Sequence, residues 1–104
     1  MPRYLMHGVY TAEAVKGLMA AGAASRLEAV RAMADGLGGS VESLEWGFGG
    51  KDSYAVLNLP DDAAAHAVAL MASAAGEVTA IRLLSAEEVD ESIRRGAAFR
   101  PPGN

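Results

Sequence analysis

The sequence predicts an α+β fold in the order β-α-β-β-α-β, with a short helix after the last strand. Three observations carry this reading. Short runs rich in tyrosine and large apolar residues alternate with longer alanine-rich stretches, glycine and proline mark the joints, and hydroxyl or carboxylate side chains stand where helices should start.

Arg3 to Tyr10 reads as a strand, stopped by Thr11, which can cap a helix by accepting a free N–H of its first turn. Helix is favoured from Ala12, but Gly17 and Gly22 each cost about 1 kcal/mol against alanine, so a break is expected near Gly22. Ser25-Arg26-Leu27-Glu28 has the form of a capping box, and Leu27, Val30, Ala34 and Leu37 follow at helical spacing until Gly38-Gly39.

Val41 to Phe48 alternates, placing Glu42, Leu44, Trp46 and Phe48 on one face of a strand and Val41, Ser43, Glu45 and Gly47 on the other. Gly49-Gly50-Lys51-Asp52 predicts a tight turn into a second apolar run, Tyr54 to Leu59, which Pro60 ends; together they predict a β-hairpin. Asp61 and Asp62 suit a helix start, followed by a stripe of Ala64, Ala67, Val68, Met71, Ala74 and Ala75. Val78 to Leu84 is the last strand. Ser85-Ala86-Glu87-Glu88 is another capping box, opening a helix through Arg95 with Asp90–Arg94 and Glu91–Arg95 pairs at i,i+4.

This order is the ferredoxin-like arrangement, a four-stranded antiparallel sheet with both main helices on one face. A length of 104 residues fits a single domain over residues 1–104, with 97–104 a Pro/Gly tail. The chain is 51% hydrophobic, but 22 residues are alanine, so its core volume per residue is small. Net charge is −4 and the bases are scattered, which speaks against nucleic acid as a partner. Without cysteine there are no disulfides, thiolate metal sites or cysteine nucleophiles, as suits a cytoplasmic protein. No signal peptide or membrane span is expected: the longest uncharged stretch, Ala63 to Gly76, falls short of the roughly 20 residues that a span needs.

A monomer of this arrangement would wet the face that lacks helices, so its strands should alternate strictly. Arg3–Tyr10 and Tyr54–Leu59 instead carry apolar side chains on both faces. The expected cover is a second copy of the sheet, giving a homodimer or higher even oligomer of the α/β-barrel type. The alternative is that the terminal helix folds back over that face.

Pro2-Arg3-Tyr4-Leu5, Tyr10-Thr11-Ala12-Glu13, Lys16-Gly17-Leu18, Gly38-Gly39, Phe48-Gly49-Gly50-Lys51-Asp52, Leu59-Pro60-Asp61 and Arg100-Pro101-Pro102-Gly103 together resemble the GYD-domain family over nearly the whole chain. The resemblance implies a ferredoxin-like fold of the dimeric α/β-barrel type. Two positions depart from the family pattern: Lys51 stands where the naming Gly-Tyr-Asp triplet has tyrosine, and Ala14 where members often have glycine. Similar barrels include cofactor-free monooxygenases, haem-degrading and chlorite-dismutase-like proteins, lactone isomerases and ligand binders, so the resemblance implies architecture and leaves chemistry open.

His7, mid-strand and opposite Tyr4, Met6 and Tyr10, is the leading candidate for a base or proton shuttle; packing against backbone is the plainer use. Asp52 is the second catalytic candidate, although a carboxylate there can equally bond turn amides. Tyr10, Trp46, Phe48 and Tyr54 are candidate ligand-binding residues or core, and Asn58, polar in an apolar strand, points to a cavity or interface. His66 lies off its helix's stripe. No metal site and no cofactor are expected: no histidine–carboxylate cluster has ligand spacing, and nothing besides His7 points to haem. The reading is a small-molecule-binding barrel. Its alternatives are a cofactor-independent monooxygenase- or isomerase-like enzyme using His7 with nearby tyrosine or aspartate, and a protein-interaction module.

Overall fold

A computed structural model describes residues 1–103, so Asn104 of the 97–104 tail lies outside the described residues. The order is β1 (Arg3–Tyr10), α1 (Ala12–Ala21), α2 (Ala23–Gly36), β2 (Ser40–Trp46), β3 (Asp52–Asn58), α3 (Asp62–Ala72), a 3-10 turn (Ser73–Ala75), β4 (Gly76–Leu83) and α4 (Ala86–Gly96). The strands form one open antiparallel sheet ordered β2-β3-β1-β4.

Three caps form as their sequences require. Thr11 Oγ1 accepts from the Ala14 amide at 3.1 Å, Asp61 Oδ1 from the Ala64 amide at 2.9 Å, and Ser85 and Glu88 exchange both bonds of a capping box at 3.1 Å. The break at Gly22 also forms: its φ of 87° lets the chain leave α1 and start α2 at once, with the Gly22 N–H closing α1 on the Leu18 carbonyl at 2.8 Å. This early start is why the box expected at Ser25–Glu28 does not exist. Ser25 already lies inside α2, whose cap is Gly22 with no side-chain bond.

One side of the sheet carries the core. Tyr4, Met6, Ala55, Leu57 and Leu59 pack against Val30 of α2 and Ala64, Ala65 and Val68 of α3, with Met33, Leu37, Val41 and Leu44 at the margin. The stripe expected on α3 is therefore displaced: Ala65 is buried, while Met71 is half exposed. The alternation expected for β2 also fails. The register slips between Val41 and Ser43, leaving Glu42 as an extra residue, so Val41 and Leu44 reach the same core. β2 ends at Trp46, leaving Phe48 in the hairpin loop.

On the opposite side the register aligns Val56–Leu5–Ile81, Tyr54–His7–Thr79, Asp52–Val9–Glu77 and Asn58–Arg3–Leu83. The helix α4 does not cover this face. It buries none of its residues, and Val89 and Ile93 stand exposed. A salt bridge from Arg82 to Glu88 at 3.1 Å ties its first turn to β4. Arg94 pairs at 2.8 Å with Glu91 and not with the expected Asp90, because Glu91 also binds Arg95 and offers a fork between them. The molecule extends 58 Å along its longest axis, with a radius of gyration of 17.0 Å where a compact chain of this length has about 13 Å.

Candidate functional site

Two groupings of polar side chains occur, one on each side of the sheet. On the uncovered side, β1 presents His7 beside Tyr54 of β3, and the two rings stack with centroids 4.8 Å apart and planes 11° from parallel. Asp52 lies two residues before Tyr54, on the same face, and its Oδ1 is 2.8 Å from His7 Nε2. A carboxylate accepts, so at this contact the tautomer of a neutral ring that makes the hydrogen bond is the one with its proton on Nε2. Nδ1 is left with no protein partner among the described residues. A fixed tautomer with one bare nitrogen is the arrangement that lets an imidazole take up a proton from a neighbouring molecule. The two residues singled out for acid–base chemistry are thus brought together, with Tyr54 beside them.

On the covered side, Tyr10 ends β1, and the Trp46 Nε1–H donates to its hydroxyl oxygen at 3.3 Å. Tyr10 also forms part of the wall of two cavities. A small one of about 60 Å³ lies between sheet and helices and is lined mostly by apolar groups, among them Met6, Val30, Met33, Leu57 and Val68. A larger one of about 280 Å³ is the cleft between α1 and α2, with Ala14, Leu18 and Ala29 on its walls. Arg26 lines both. In the sequence it falls within the Ser25–Glu28 capping-box pattern, and nothing in its spacing distinguishes it from a solvated helix residue. Its position follows from α2 starting three residues early at Gly22.

The remaining candidates lie elsewhere. Phe48 is fully exposed at the hairpin. Asn58 sits at the far end of the uncovered face, where its amide lies 3.5 Å from Ser40 Oγ, close to the Arg3–Glu42 ion pair at 2.7 Å. Hydrogen bonds from Arg3 hold the Glu42 carboxyl below its ordinary value. His66 is exposed. Below the core, the Tyr4 hydroxyl donates to Asp62 Oδ1 at 2.6 Å, which raises its phenol above the ordinary value, with burial adding to the effect. Among the described residues, no three histidine, aspartate or glutamate side chains gather closely enough to hold a metal ion, and no helix is long and apolar enough to cross a membrane.

Fold and site define a small α+β domain with one sheet face buried under helices, one left bare, and polar groupings on both. The chain belongs to the GYD-domain family, whose model matches residues 4–94. No curated protein and no solved structure matches it.

Proposed function

We propose that this chain is a ferredoxin-like subunit of a dimeric α/β barrel that binds a small organic molecule on the helix side of its sheet. The strand order β2-β3-β1-β4 supports the ferredoxin-like reading, and the apolar row Val56–Leu5–Ile81 on the bare face supports the dimer. The observation that carries the binding role is the meeting of two largely apolar cavities at Tyr10. The inner one alone is too small for an organic ligand, whereas the outer cleft of about 280 Å³ approaches the lower end of the usual pocket range, ~300 Å³.

Trp46 is the only tryptophan and donates to Tyr10, so a ligand in the cleft that takes the Tyr10 hydroxyl alters the indole's surroundings. Titrating the protein with small aromatic and aliphatic compounds is therefore expected to change Trp46 fluorescence in a saturable way, with a matching rise in melting temperature. Neither response, across compounds small enough for the cleft, refutes the binding role.

The His7–Asp52 contact favours a second reading, in which a substrate bound on the uncovered face, and not in the cleft, is transformed. In the barrel the pair lies at the interface, and His7 Nδ1 moves a proton on a substrate held between the two sheets. This chemistry needs no cofactor, since the imidazole is both acceptor and donor.

A further inference from the structure

We infer that the ligand of the α1–α2 cleft is an organic monocarboxylate with a compact apolar body, and that Arg26 is the residue that selects it. The inference rests on the cleft being a binding site and names the chemistry of what enters.

Six of the seven arginine side chains have partners. Arg3 pairs with Glu42, Arg31 with Glu28, Arg82 with Glu88, and Arg94 and Arg95 with Glu91, while Arg100 donates to the Phe99 carbonyl. Arg26 alone has neither an ion pair nor a side-chain hydrogen bond among the described residues, yet it is half-buried and lines the inner cavity, the outer cleft and a groove of about 120 Å³ between α2 and α3. A guanidinium carries five N–H donors in a planar fork that matches a carboxylate. With no acceptor of its own chain beside these apolar walls, the fork is free to receive an anionic ligand through charge-assisted hydrogen bonds.

Tyr10 supplies the second donor. Its oxygen accepts from Trp46, which leaves its own O–H to donate into the space it shares with Arg26. Glu77 also borders the inner cavity, but it is in register with Val9, so its side chain leaves the sheet on the opposite face from Tyr10. The other wall residues of the outer cleft are alanine, glycine, leucine and serine. Two donors beside an apolar recess fit one carboxylate followed by a short hydrocarbon or a single ring, and give a phosphate dianion or a polar sugar little to bond.

The test compares each acid with its own amide, which keeps shape and removes charge: phenylacetate against phenylacetamide, and octanoate against octanamide, by calorimetry and Trp46 fluorescence. The expected result is that the carboxylates bind roughly ten- to hundredfold more tightly, the range for a hydrogen bond to a charged group. Arg26→Gln, which removes no ion pair or side-chain hydrogen bond among the described residues, is expected to equalise acid and amide while circular dichroism stays unchanged. Tyr10→Phe is expected to weaken the acids more than the amides. Equal binding of acid and amide by the unaltered protein, or a preference that survives Arg26→Gln, overturns the role of Arg26 while leaving the cleft as a site. Binding of neither class overturns both.

Discussion

At the scale of single residues the sharpest feature is the His7 ring, clamped between a carboxylate and a phenol. Because Asp52 accepts from Nε2, the neutral imidazole is expected to hold its proton there almost exclusively. Long-range proton–nitrogen correlation spectra of the neutral ring should therefore show a protonated Nε2 and a bare Nδ1, and Asp52→Asn should mix the two tautomers. A tautomer ratio indifferent to Asp52→Asn would refute the clamp, and with it the proton-transfer reading. The sequence offered His7 a tyrosine or aspartate as partner without revealing that Asp52 is the one it touches. Their meeting depends on the antiparallel register of β1 and β3, which pairs His7 with Tyr54 and places Asp52 one pleat away on the same side. Arg26 was illegible for a related reason: its role depends on where α2 begins, and Ser25 imitates a cap one residue before it.

Elements were legible wherever a local interaction decides them. Thr11, Asp61 and Ser85 cap helices because their side chains meet amides three residues on, within reach of any reading of the chain. The bulge at Glu42 was not legible, since alternation simply counted through it, and a single extra residue exchanges the faces of everything that follows. The helix α4 is the element whose stability rests most on such local devices, for it buries none of its residues and is shorter than the roughly 12 residues at which isolated helices become viable. Its capping box lowers the Glu88 carboxyl below its ordinary value of 4.5, chiefly through the bond from the Ser85 amide, with Arg82 adding to it. A depressed carboxylate stabilises the folded form fully above that ordinary value, and the contribution disappears as pH falls through the lowered one. The protection factors of amides within Ala86–Gly96, taken against the intrinsic exchange rate at each pH, are therefore expected to fall on acidification before those of the sheet do. Glu88→Gln should abolish most of that pH dependence, and an unchanged acid response in this variant would assign it to another group.

At the scale of the whole molecule, the bare face and the bare helix pose one problem, which the proposed dimer would solve. Val56, Leu5 and Ile81 form an apolar row across three strands, flanked by Val9 and Leu83, and nothing within the chain covers them. Folding α4 back would cover part of the row, but the Arg82–Glu88 bridge and the 58 Å length set the helix beyond the sheet. Four strands at ~4.8 Å spacing and eight residues at ~3.3 Å outline roughly 500 Å² of sheet plane. That is short of the ~800 Å² per partner typical of stable complexes. In the proposed dimer a second copy seated on this face, with the exposed Val89–Ile93 stripe of each α4 laid on its mate, would supply the remainder and close the assembly by two-fold symmetry. Sedimentation at ten micromolar is expected to show a dimer. Leu5→Glu should convert it to a folded monomer, and Val89→Glu with Ile93→Glu should weaken it at least tenfold without unfolding either chain, because none of these residues belongs to the protomer's core. If the unaltered chain sediments as a monomer, the barrel falls; if only the α4 variant fails to weaken the dimer, the sheets meet without their arms.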